Sequence, residues 1–163
     1  MTTPTGEIIR TDRGPALRFE RRYAFPPDEV WSALTTPERA RRWLGELTVG
    51  GESARLALGD STAELRVVAC DRPYRIEVVW TFPGAAPTHV RVTLAADGPD
   101  RTALVLEHTF PAEEPAALPG YACGWEHYLD ALGAHLTGGP PPDWADYYPA
   151  RLDGWRAAVP SGG

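Results

Sequence analysis

The 163 residues are 43% hydrophobic and 23% charged, enough length and apolar content for one domain with a genuine core. Sixteen Lys and Arg against 22 Asp and Glu leave a formal charge of −6, which argues against a sequence-independent grip on nucleic acid or an anionic bilayer, since both need a basic surface. Two cysteines without a CxxC spacing, Cys70 and Cys123, no basic apolar leader and no long apolar window predict a soluble, cytoplasmic protein without membrane insertion or a disulfide framework.

Residues Met1 to Gly6 are polar and read as loose, and Glu7–Arg10 as a short edge strand before a turn at Asp12–Pro15. Leu17, Phe19 and Tyr23 then alternate with Arg18, Glu20 and Arg22, the period of a half-buried strand. Arg21 falls on the inward side, where a charge needs a partner or the sheet edge. After Phe25-Pro26-Pro27, Asp28 suits the first turn of a helix carrying Val30, Trp31 and Leu34. Thr36 as N-cap with Pro37 at the first helical position predicts a second helix, ending at Trp43-Leu44-Gly45.

From Glu46 to Thr109 the helical period gives way to short alternating runs. Strands are expected near Glu52–Leu58, Ala63–Cys70, Arg75–Phe82, Thr88–Ala95 and Thr102–Phe110, broken at Gly59-Asp60, Asp71-Arg72-Pro73, Pro83-Gly84 and Asp97-Gly98. Ile76, Val78 and Trp80, then Val90, Val92 and Leu94, then Leu104, Leu106 and His108 share inward parity, while Glu77, Arg91 and Glu107 face water. Consecutive strands on short turns pair antiparallel, giving one curved sheet with an apolar concave side.

Leu118, Ala122, Trp125, Leu129, Leu132 and Leu136 recur at steps of four and three, one face of a helix of about nineteen residues and roughly 28 Å. Pro119 suits its first turn, and Gly138-Gly139 followed by prolines stops it. Tyr121, Tyr128 and His135 flank the stripe with Gly124 between the tyrosines; Glu126, His127 and Asp130 read as a solvated face. Gly124 either leaves room for a ligand or lets a strand or loop pass close. The remainder, residues 139–163, carries Trp144, Tyr147, Tyr148 and Trp155. So many aromatics predict an extension with a short helix near Ala150–Val159, packed on the domain or on a second subunit of a homodimer.

One strand, two short helices, a meander and a long terminal helix make an α+β arrangement with the helix laid across the concave sheet. The run RFERRYAFPPDEVWSALTTPERARRWLG at Arg18–Gly45, with LVLEHTF at Leu104–Phe110 and GYACGWEHYLDALGAHL at Gly120–Leu136, resembles the SRPBCC superfamily, and within it the branch of activator of heat-shock protein 90 ATPase homologues. The resemblance covers about Leu17 to Gly138 and implies a helix-grip domain over residues 7–138, enclosing a mostly apolar cavity that different members use for lipids, sterols, polyketides or hormones.

With that parity, the concave surface collects Trp80, His108, Tyr121, Trp125 and Tyr128, beside Gly124, a lining suited to an apolar body with a few polar points. Trp43 caps the mouth or simply packs the two short helices, as Trp31 does. His108 either meets a ligand oxygen or is a core histidine bonded to a nearby hydroxyl or carbonyl. His89, His108, His127 and His135 show no metal-ligand pairing, and no nucleotide loop or GxSxG is present, so no cofactor is expected. Cys123 has no evident base and reads as a small core residue. The expected function is carriage or sensing of a small hydrophobic or aromatic molecule. The alternatives are a cyclase or aromatase in which His108 and Tyr128 move protons, and a chaperone co-regulator.

Overall fold

The period-two runs become strands of one sheet. A computed structural model describes residues 3–111 and 115–159; Met1 and Thr2 of the expected loose start, and residues 160–163 of the extension, lie outside the described residues. The strands are β1 Glu7–Thr11, β2 Gly14–Tyr23, β3 Glu46–Gly50, β4 Ser53–Leu58, β5 Ser61–Asp71, β6 Arg75–Thr81, β7 Thr88–Ala96 and β8 Thr102–Thr109. They form an eight-stranded sheet in the order β1-β2-β8-β7-β6-β5-β4-β3, every neighbouring pair antiparallel. Only β2–β8 is a long-range pairing; the rest is a meander. A bulge between Val67 and Ala69 adds twist to β5.

β3 escapes the sequence reading, which opens the meander at Glu52. Leu47 and Val49 do alternate with Glu46, Thr48 and Gly50, but the run is only five residues at the sheet edge, with Val49 56% exposed and Leu47 alone partly buried. The first helix, α1, spans Pro27–Thr35 with Asp28 and Glu29 in its first turn. α2 is confined to Pro37–Ala40 and turns follow to Leu44, shorter than the expected run to Trp43. Thr36 holds the N-cap position without a side-chain cap bond.

A 3₁₀ turn at Pro115–Ala117 leads into α3, Leu118–Thr137, which ends where Gly138 takes a left-handed φ of 76° and returns its N–H to Ala134 and His135. No helix among the described residues is long and apolar enough to cross a membrane. α3 lies over the concave face, and the Tyr23 hydroxyl donates to the Leu129 carbonyl at 2.8 Å. Trp80, Val90, Val92, Leu94, Leu104, Leu106 and His108 are buried as their parity predicts. On the other face Glu77 pairs His89 at 3.1 Å, and Glu107 lies between Arg91 and Arg18.

The reading of Glu126 as solvated is overturned, since it is 0% exposed. Its carboxylate accepts from the Trp155 indole at 2.6 Å, from the Thr5 N–H at 2.9 Å, from the Thr5 hydroxyl, and from Arg151 at 3.2 Å. Trp155 belongs to α4, Leu152–Ala158, and its ring lies 5.7 Å from that of Phe19. His127, assigned to the same solvated face, is partly buried against the rings of Trp144 and Tyr147. One buried anion therefore ties the start of the chain and the C-terminal extension to the outer side of α3. Arg21 finds its partners here as well, donating to the Thr5 carbonyl at 2.9 Å and to its hydroxyl at 2.8 Å.

Candidate functional site

Trp80 and Trp125 are the centre of the site. Alternation along β6 turns Trp80 inward, the i, i+4 and i+7 spacing of α3 brings Trp125 down onto it, and their rings meet edge to face at 5.7 Å. The pair is a wall with a space on each side.

Behind the wall, between sheet and α3, lies a cavity of about 370 Å³. It is lined by aliphatic side chains of β4–β8, among them Val78, Val90 and Leu104, by Leu129 of α3, and by Trp31 and Trp43. Its charged lining residues, Glu52 and Arg72, lie at the exposed edge. Trp43 is pinned in the wall, its indole donating to the Ala33 carbonyl at 2.8 Å. The indole N–H groups of Trp31 and Trp80 are buried with no acceptor among the described residues, each costing about 1–3 kcal/mol.

In front of the wall is a more open groove of about 890 Å³, bounded by Phe82, the first turns of α3 and the extension. Tyr121, Gly124 and Tyr128 line it with Trp80 and Trp125. A Cβ on Gly124 would meet Trp144 and Tyr128 at 3.9 Å, ordinary contact; the extension's Trp144 covers this glycine. Burial raises the Tyr128 phenol, which stays a neutral hydroxyl at pH 7.

His108 lines neither space. It is 0% exposed, stacked on Phe110 at 4.3 Å, and both ring nitrogens are engaged within the core. An indole can only donate, so the 3.0 Å bond from Trp125 Nε1 makes His108 Nδ1 the acceptor and puts the proton on Nε2. Nε2 donates to the Thr88 hydroxyl at 2.8 Å, which donates to the Trp80 carbonyl at 3.0 Å. This chain works only with a neutral imidazole, and burial, helped by His89, holds the His108 pKa down to about 3. The seven expected residues thus divide: Trp43, Trp80 and Trp125 face the cavity, Trp80, Tyr121, Gly124, Trp125 and Tyr128 the groove, and His108 braces Trp125.

The sequence model of Activator of Hsp90 ATPase homolog 1-like proteins matches residues 24–137. The chain belongs to this family. Among solved structures, CalU16 from Micromonospora echinospora is 31% identical over 98% of this chain and 99% of its own, with a TM-score of 0.79. DynU16, a protein of the dynemicin biosynthetic locus, is 27% identical over 80% of this chain at a TM-score of 0.70, and the match spans 49% of its length. An Hsp90 activator from Plasmodium falciparum, 18% identical over 77% of this chain and 97% of its own, shares the fold at a TM-score of 0.63. No curated protein matches the chain.

Proposed function

We propose that this family member is a carrier or sensor that holds a small hydrophobic or aromatic molecule in the cavity between the sheet and α3. The supporting observation is the cavity itself: about 370 Å³ of mostly apolar space between the sheet and α3. That volume is within the range of small-molecule sites, roughly 300–1,000 Å³. Filling even a third of it with larger side chains would gain about 3 kcal/mol at roughly 24 cal/mol per Å³. A retained void of this size argues for a tenant.

Carriage is favoured over the cyclase or aromatase alternative because a general acid or base must touch its substrate, and His108, the expected proton carrier, sits behind Trp125 with both nitrogens committed. The place of DynU16 in a biosynthetic locus supports a biosynthetic intermediate or product as the cargo. For the chaperone alternative, the Plasmodium activator offers likeness of fold alone. Free Cys70 and Cys123 support a cytoplasmic setting.

The test is native mass spectrometry of protein purified from its own host, paired with calorimetric titration of 2-methylnaphthalene as a neutral probe. A copurifying apolar molecule, or probe uptake that Val78→Phe abolishes with the circular dichroism unchanged, is the expected result. Absence of both a copurified molecule and probe uptake would end the proposal.

A further inference from the structure

The groove in front of the Trp80–Trp125 wall carries a chemistry different from that of the cavity behind it. Its residues come from three separated parts of the chain: the end of β6 with Phe82, the opening turns of α3, and the extension with Tyr148, Leu152, Arg156 and Val159. Tyr121, Tyr128, Tyr148 and Phe82 present rings around one volume of about 890 Å³. Tyr148 and Trp144 stack with centroids 6.2 Å apart, and both are large, exposed side chains on a surface where such rings are few.

The electrostatics of the groove run against those of the chain. The protein carries a net charge of −6, yet among the described residues that line this groove the only charged one is Arg156. Its one ion pair among the described residues, with Asp153, is long at 3.4 Å and joins side chains 64% and 83% exposed. Such a pair holds its partner weakly, so the guanidinium can be recruited. The first turn of α3 borders the same groove, and it carries neither an acidic residue nor a side-chain cap on Ala117.

We propose that this groove is a second binding site, for a planar aromatic carboxylate, with the ring held among Tyr121, Tyr128 and Tyr148 and the carboxylate on Arg156. The rings supply flat apolar contact, and the guanidinium fork fits the two carboxylate oxygens. The site does not depend on the inner cavity. The two spaces share only the Trp80–Trp125 wall, and they select different ligands, neutral behind it and anionic in front.

The experiment is isothermal titration of the full chain with 2-naphthoate and, separately, with 2-methylnaphthalene, which has the same ring system and no charge. Arg156→Gln should weaken 2-naphthoate severalfold and leave 2-methylnaphthalene unchanged. Tyr148→Ala, at an exposed ring, should weaken 2-naphthoate severalfold with the fold intact by circular dichroism. Val78→Phe, which fills the inner cavity, should leave 2-naphthoate binding unchanged. Absence of 2-naphthoate binding at millimolar concentration, or affinity indifferent to Arg156→Gln, would overturn the proposal. Loss of 2-naphthoate binding in Val78→Phe would do so too, because the anion would then occupy the inner cavity. The inner-cavity reading stands or falls separately on 2-methylnaphthalene.

Discussion

The indole of Trp125 is held by the imidazole of His108, Nε1 to Nδ1 at 3.0 Å. That bond fixes one ring of the wall, while the ring of Trp80, whose own N–H has no acceptor among the described residues, is held by packing against Phe82, His108 and Trp125, with its carbonyl accepting from the Thr88 hydroxyl. The histidine that sequence reasoning singles out as a ligand contact therefore acts on the site at one remove, by setting where Trp125 stands.

This arrangement makes stability depend on pH in a defined window. In the unfolded chain His108 titrates near 6.5, whereas in the folded chain burial keeps it neutral down to about 3. Between those values the unfolded state binds the extra proton, so the stabilising effect is complete above pH 6.5 and is lost progressively as pH falls toward 3. From pH 7 to pH 5 the loss amounts to about 2 kcal/mol. Urea denaturation at the two pH values should show this drop in the native sequence and a drop smaller by that amount in His108→Gln. Parallel pH dependences in the two proteins would show that the imidazole is not held neutral.

The buried carboxylate of Glu126 predicts a second, larger effect. Four donors converge on it, from Thr5, Arg151 and Trp155. Glu126→Leu leaves those donors unpaired and Arg151 without its counter-ion, and removing one member of a buried pair typically costs 3–5 kcal/mol, about half the stability of an ordinary domain. Limited proteolysis should then cut near Thr5 and in the extension well before the sheet is attacked. A variant as stable and as resistant as the native protein would mean that the termini are anchored by apolar contact alone.

The difference between His108 and Glu126 shows what was legible in the sequence. Inward parity on β8 places His108 correctly, because alternation is a local property. Its role was not legible, since the partners Thr88 and Trp125 come from another strand and from α3. Glu126 lies opposite the apolar stripe, and a helical wheel sends such a residue to water unless something else covers that side. The covering pieces are Thr5 and Trp155, 121 and 29 residues away. The signal was present in indirect form: an aromatic-rich extension must bury its rings somewhere, and the outer side of α3 was the one large surface left. The sheet apart from β3, the turns between its later strands and the limits of α3 could be read because each rests on period or on turn chemistry within a few residues.

The two cysteines should differ sharply in reactivity. Cys123 is buried, and burial together with the nearby charge of Glu126 raises its thiol to about 11. At pH 8 it is neither accessible nor ionised, and the thiolate is the reactive form. Cys70 is exposed. An Ellman titration at pH 8 should therefore count one thiol in the folded protein and two in urea. Two fast-reacting thiols without denaturant would contradict the burial of Cys123 beneath the extension.

Two glycines give opposite expectations for the same substitution. A Cβ on Gly45 would come within 2.2 Å of the Ala57 carbonyl oxygen, backbone that β4 cannot move without disturbing its pairing with β3 and β5. Gly45→Ala should lower stability by about 1–3 kcal/mol, as overpacking does. Gly124 is inside α3, where the added methyl meets Trp144 and Tyr128 at an ordinary 3.9 Å. There the gain from restricting the unfolded chain is unopposed, and Gly124→Ala should raise stability by about 0.4–1 kcal/mol. Thermal unfolding of both variants checks the pair. A destabilised Gly124→Ala would mean that the rings of Trp144 and Tyr128 press closer on α3 than an ordinary contact distance.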